Sequence, residues 1–140
     1  MEAASPPPRT RQAWLGIAAL PLGGICFAGA WLGVSARSGG RAGWMALAAT
    51  AIAVGLLRVT GMPPGASRAR VALLSTAAYL AAGEWLVACL PIGAAMGESP
   101  IEAARRVGLD FGWLLIELGN RPLDWFWFAL AVAAAWLFGR

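Results

Sequence analysis

One carboxyl group of this chain stands inside a long apolar segment. Glu84 lies within "LAAGEWLVACLP", and the whole sequence has seven acidic residues. An ionisable residue inside a membrane segment is costly and is therefore a candidate functional residue. At 100° per helical residue, Ala77, Ala81 and Ala88 share its face, and small residues beside a carboxyl are typical of helix packing. We predict that Glu84 faces another helix, with the hydroxyl of Thr50 as its partner.

The depth of Glu84 decides whether its segment can enter a bilayer. It follows Arg70 by about 20 Å of helix, which is near the middle of a hydrocarbon core about 30 Å thick. A central charge costs roughly 2.5–3.5 kcal/mol, whereas the Leu, Ile and Val residues of the segment together return about 4 kcal/mol. We therefore expect the segment to insert and the carboxyl to be neutral.

Most catalytic and cofactor chemistries lack their residues in this sequence. There is no His, so imidazole catalysis and His-ligated metals or haem are excluded. Cys26 and Cys89 lie in apolar runs without a CxxC pair, which favours structural thiols. No nucleophile with a base and no Gly-rich phosphate loop is visible. We predict a protein that is not an enzyme and that has no cofactor and no metal site.

The overall composition indicates a membrane protein. Of 140 residues, 59% are hydrophobic and 13% are charged, and the mean hydropathy is +0.66. A soluble domain carries about 25% charged residues. The 11 basic residues are all Arg and lie singly or in pairs at the ends of apolar segments, which is unlike the clustered surface of a nucleic-acid-binding protein. The expected partner is the lipid bilayer, with no nucleic acid.

Four apolar segments predict an all-α integral membrane protein with a four-helix transmembrane bundle. A spanning helix needs about 20 residues. The polar, Pro-rich residues 1–12 predict a disordered tail, and residues 13–140 form one transmembrane domain. The predicted spans cover residues 13–36, 42–60, 71–97 and 122–139.

The third connection predicts an additional amphipathic helix at the membrane interface, over residues 99–118. Ser99 and Glu102 form a capping box around Pro100. Apolar residues then recur at helical spacing, while Glu102, Arg106 and Asp110 follow one another at i, i+4 on the opposite side. That charged side is a candidate partner-docking face, although the helix could also merely cover the bundle or lie on lipid.

Small residues mark candidate helix-packing faces in two of the spans. Gly29 and Gly33 form a GxxxG motif in the first span, and such motifs let two helix backbones approach closely. A face of alanines runs along the second span, at positions Ala42, Ala46, Ala49 and Ala53. We expect most of these faces to pack within the chain, while some could bind another subunit or a second copy.

We expect a bacterial inner membrane protein, and its arginine counts favour both termini in the cytoplasm. One side of the membrane holds six Arg and the other five, a nearly even division that leaves dual topology open. The leading functional hypothesis is a non-enzymatic subunit or assembly component of a membrane complex. The alternative is a small proton-coupled transporter or channel with Glu84 as its protonatable site.

Overall fold

The computed structural model describes the backbone of residues 9–140 and the side chains from Trp14 onward. Every regular element in this range is helical, in agreement with the predicted all-α class. Residues 9–12, which the sequence assigned to a disordered tail, belong to the first helix, and the rest of that tail lies outside the described residues. The α-helices are α1 (Arg9–Ser38), α2 (Ala46–Val59), α3 (Ala66–Met96), α4 (Pro100–Arg106), α5 (Leu109–Gly119) and α6 (Pro122–Gly139), with a short 3-10 helix (Gly43–Met45) before α2.

Among the described residues, three helices are long and apolar enough to cross a membrane. They are Trp14–Ser38 within α1, Ala66–Met96, and Pro122–Gly139. The second predicted span is also helical and apolar, but it is shorter, covering Gly43–Val59. The structure therefore agrees with a membrane protein.

The predicted amphipathic helix over residues 99–118 is broken in two. It starts as expected, because Ser99 and Glu102 form the capping box and Pro100 occupies the first turn of α4. Val107 and Gly108 then adopt extended conformations and separate α4 from α5. The break interrupts the i, i+4 series of charged residues between Arg106 and Asp110, so the single helix and its continuous charged face are wrong.

Helix α3 is the central element, because each of the other five α-helices packs against it. Phe27 and Trp31 of α1 are almost fully buried beside it, with Phe27 stacked on Tyr79 at 6.1 Å between ring centroids. Trp31 covers Gly83, where a Cβ would overlap the Trp31 ring. Large rings on α1 therefore pack into a small-residue surface on α3.

The alanine face predicted for the second span is confirmed. Ala46, Ala49 and Ala53 are completely buried and Ala42 nearly so. These residues belong to the core cluster that also contains Trp31, Tyr79 and Ala131. Side chains this small allow the backbones of neighbouring helices to approach closely.

Two arginines complete the C-terminal end of α6. Arg68 is buried and donates from Nε to the Gly139 carbonyl at 2.9 Å and from Nη2 to the Arg140 carbonyl at 2.9 Å. Arg58 donates to the Phe138 carbonyl at 2.8 Å. The last carbonyls of a helix have no partner within that helix. A cation at this end also interacts favourably with the negative end of the helix dipole. The start of α3 and the end of α2 are thereby fixed to the end of α6.

We predict that Arg68→Met lowers the free energy of unfolding by about 2 kcal/mol or more, since hydrogen bonds to charged groups contribute roughly 1.5–3 kcal/mol each. Thermal unfolding in detergent measures the effect. Arg70→Met is the matched control, because Arg70 is exposed and its Nε donates to Ala66 of its own helix. Equal melting temperatures for the two variants would contradict the capping role of Arg68.

Candidate functional site

The candidate site is a buried ion pair between Glu84 and Arg41. Arg41 lies in the connection between α1 and the 3-10 helix, and its Nη1 donates to Glu84 Oε2 at 2.8 Å. The Arg41 side chain is 15% exposed and the Glu84 side chain is 5% exposed. Glu84 lies on α3 about 18 Å of helix before the end of that helix, so a residue of the connection meets the interior of the longest helix.

Asn120 closes this pair into a triangle of hydrogen bonds. It occupies the turn between α5 and α6, where its Oδ1 accepts from Arg41 Nη1 at 2.9 Å. Its Nδ2 donates to Glu84 Oε2 at 3.1 Å. One amide side chain thus binds both charged partners, and this joins α3, the α1–α2 connection and the α5–α6 turn at one point.

Arg41 also satisfies the C-terminal end of α5. Its Nη2 donates to the Leu115 carbonyl at 2.8 Å, and its Nη1 lies 3.3 Å from the Ile116 carbonyl. Gly119 makes this approach possible, because a Cβ at that position would overlap the guanidinium. A single guanidinium therefore neutralises a carboxylate and caps a helix.

The energetics of this site follow from its burial. Removing two charges from water costs several kcal/mol per ion, and attraction compensates only where geometry is good and further hydrogen bonds are made. Arg41 makes four hydrogen bonds, to Glu84, Asn120, Leu115 and Ile116. Either charge alone would be left without its counter-charge, so both residues are required together.

The partner predicted for Glu84 is wrong. Thr50 is buried on α2, but its hydroxyl donates to the Ala131 carbonyl of α6 at 2.8 Å. The groups that bind the Glu84 carboxyl are instead the Arg41 guanidinium and the Asn120 amide. Thr50 instead joins α2 to α6.

The small residues predicted around Glu84 divide into two groups. Ala88 is buried, as expected for a packing face. Ala77 and Ala81 are exposed and line a groove beside Glu84. Gly29 and Gly33 do not pack within the described chain, because a Cβ on Gly29 meets nothing within 4 Å and one on Gly33 meets only the end of Arg37 at 3.8 Å.

The three residues of the predicted docking face are all exposed but do not form one ladder. Glu102 caps α4, and the hydrogen bond from the Ser99 backbone lowers the pKa of its carboxyl. Arg106 pairs with Glu98 at 2.9 Å instead of with its helical neighbours. Asp110 lies across the break, in the first turn of α5.

Sequence reasoning missed the two residues that bind Glu84. In the sequence, Arg41 is one of the arginines at the ends of apolar segments, and Asn120 follows the predicted helix over residues 99–118. Both follow helices that were predicted to end on the same side of the membrane. One signal in the sequence could have identified Arg41. A carboxyl deep in an apolar segment needs a cation, and the nearest arginines on that side of the membrane could supply it.

Comparison of the chain with protein-family models, curated proteins and solved structures gave no match. Within residues 9–140 no group of three His, Cys, Asp or Glu side chains is placed to hold a metal ion. Cys26 is exposed and Cys89 buried, and neither forms a disulfide in the structure. The packing and the hydrogen bonds of the chain itself are therefore the basis for assigning a role.

We predict strong coupling between Arg41 and Glu84 in a double-mutant cycle of Arg41→Met and Glu84→Gln. Each single substitution leaves one charge unpaired and should lower the free energy of unfolding by about 3–5 kcal/mol. The loss in the double variant should be smaller than the sum of the two single losses by about 2 kcal/mol. Unfolding free energies in detergent measure the cycle. The pair Arg106 and Glu98, whose side chains are 66% and 22% exposed, is the control, with coupling below about 1 kcal/mol. Additive effects at Arg41 and Glu84 would show that the pair is not coupled.

Gly119→Ala tests the site without removing any charged group. We expect it to displace the Arg41 guanidinium and to lower the free energy of unfolding by about 1–3 kcal/mol, as overpacking does. Gly108→Ala is the matched control, because a Cβ there meets nothing within 4 Å. Thermal unfolding of the two variants gives the comparison, and a Gly119→Ala protein as stable as the control would contradict the close contact.

Proposed function

We propose that this protein is a non-enzymatic subunit or assembly component of a membrane complex. In this proposal α1, α2, α3 and α6 cross a bacterial inner membrane, both termini are cytoplasmic, and α4 and α5 lie at the outer interface. The 17 residues Gly43–Val59 would cover about 25 Å, slightly less than the hydrocarbon core. Arg58 lies at the end of α2, and its side chain is long enough for the guanidinium to reach the membrane interface.

The observation that carries the proposal is the unpacked glycine face of α1. Gly in the interior of a helix costs about 1 kcal/mol relative to Ala. Gly29 and Gly33 repeat one helical turn apart, and neither makes a close contact in the described chain. Ile25, one turn before Gly29, is 70% exposed. A bare backbone strip of this kind fits the close approach of another transmembrane helix, and the occupant we propose is a helix of a partner subunit.

The pairing of Glu84 supports the same proposal over the proton-coupled alternative. A carboxyl that carries protons must alternate between its charged and neutral forms. Glu84 shares Oε2 with Arg41 and Asn120, and the neutral form would leave the Arg41 charge unpaired in a buried site. This arrangement favours a structural role for the ion pair within the membrane protein.

The first test is copurification of the full chain in mild detergent. We expect a stoichiometric membrane partner, and we expect the double substitution Gly29→Leu with Gly33→Leu to lower the retained partner about tenfold, which corresponds to 1.4 kcal/mol. Gly55→Leu on α2 is the matched control, because a Cβ there also meets nothing within 4 Å. Thermal unfolding of each isolated variant checks that the fold is retained.

Two outcomes would contradict the proposal. Purification as a clean homodimer would show that the glycine face binds a second copy and not a partner subunit. Equal loss of the partner in Gly55→Leu and in the α1 double variant would show that association does not use the glycine face of α1.

A further inference from the structure

Four arginines from the ends of three helices meet where α2 and α6 end and α3 begins. The backbones of α3 and α6 touch there, since a Cβ on Gly139 would lie 2.7 Å from the Cα of Ala69. Arg140 follows the first of these two residues, and an arginine lies on each side of the second. Arg58 of α2 reaches the same point by donating to the Phe138 carbonyl. We call this cluster the basic end, and its members are Arg58, Arg68, Arg70 and Arg140.

No carboxylate balances the basic end among the described side chains. These side chains form two ion pairs, and neither pair includes any of the four arginines. The nearest acidic residue along α3 is Glu84, about 21 Å of helix beyond Arg70, and along α6 it is Asp124, about 24 Å before Arg140. The remaining acidic residues lie on α4, on α5 or in the connection before α4, at Glu98, Glu102, Asp110 and Glu117. Four positive charges therefore lie close together without an anion.

Three of the four guanidiniums are exposed and keep hydrogen-bond donors for a ligand. Arg68 is buried, and its Nε, Nη1 and Nη2 all donate to backbone carbonyls. Arg58 and Arg70 are exposed and each donates one hydrogen bond within the described chain. The exposed Arg140 lies over the Trp136 ring, 4.9 Å from the ring centroid. A guanidinium has five N–H donors in a planar arrangement that matches phosphate, so this cluster is suited to a phosphate group.

Exposed apolar side chains lie one helical turn from the basic end on two of its helices. Leu74, one turn after Arg70 on α3, is 67% exposed, and Leu137, one turn before Arg140 on α6, is 66% exposed. Both helices are long and apolar enough to cross a membrane. The arginines at their ends then lie near lipid headgroups, and the leucines lie at the edge of the hydrocarbon. A phospholipid has its phosphate and its acyl chains in this same order, whereas an acidic peptide or a free phosphate matches the charge alone.

We propose that the basic end binds the headgroup of an anionic phospholipid from the surrounding leaflet. Arg70 and Arg140 donate to the phosphate, because they adjoin the contact between α3 and α6, and Arg58 adds its positive charge from α2. The acyl chains lie against Leu74 and Leu137. The anion relieves the repulsion among the four arginines, whereas a zwitterionic headgroup carries a cation of its own. This inference requires only that α3 and α6 cross a membrane, so it goes beyond the proposed subunit role and does not depend on it.

The test is titration of the full-length protein in mild detergent, with the bound lipid counted by native mass spectrometry. The probes are phosphatidylglycerol and phosphatidylcholine with identical acyl chains, and inorganic phosphate is the competitor without chains. We expect phosphatidylglycerol to bind at least about tenfold more tightly than phosphatidylcholine, and an excess of inorganic phosphate to leave it bound. Equal affinity for the two lipids would overturn the selection for an anionic headgroup. Displacement of the lipid by inorganic phosphate would show a site for a free anion instead.

Two double substitutions locate the bound lipid. Arg70→Gln with Arg140→Gln removes two charges from the basic end, whereas Arg105→Gln with Arg106→Gln removes two charges from exposed positions of α4. The first should weaken phosphatidylglycerol about tenfold or more, since one arginine near an anionic leaflet contributes about fivefold, and the second should change it less than about twofold. If the first double variant fails to fold, Arg70→Gln alone should weaken the lipid about fivefold. Equal weakening by the two double variants would overturn the basic end as the binding site.

Discussion

The pairing of Glu84 with Arg41 is the constraint on which the end of the molecule around α5 depends. In apolar surroundings neither charge is stable alone, so the α1–α2 connection must reach α3 at the level of Glu84. Asn120 binds both charged groups, which fixes the turn between α5 and α6 at the same point. The position of α5 then follows, because its last carbonyls must lie within reach of the same guanidinium. This one ion pair thus positions the α1–α2 connection, the α5–α6 turn and helix α5, whose positions local sequence alone does not determine.

Arginines perform a second task in this fold, which is to bind the last carbonyls of helices. Arg41 does so for α5, and Arg58 and Arg68 do so for α6. These carbonyls have no partner within their own helix. A positive charge near a helix end therefore has a structural reason as well as a topological one.

Local features of the fold could be predicted from the sequence, and long-range partners could not. The helical class, the capping box at Ser99 and the buried alanine face of α2 follow from composition and periodicity, which neighbouring residues determine. The partner of Glu84 depends on how far a connection reaches into the bundle. The sequence favours Thr50 because it lies near the middle of the second span, at about the depth of Glu84 in the third, whereas Arg41 lies in a connection. The break at Val107–Gly108 was missed because the apolar pattern continues across it without a Pro.

Small residues show why a face cannot be assigned from sequence even when its composition is clear. Ala88 is buried, Ala81 borders a groove, and Gly119 leaves room for a guanidinium, yet all three are simply small. What distinguishes them is the neighbour opposite, which only the three-dimensional arrangement supplies. The same distinction applies to the two oxygens of Glu84. Oε2 binds Arg41 and Asn120, whereas Oε1 is buried without a hydrogen-bond partner among the described residues, and nothing in the residue type separates the two.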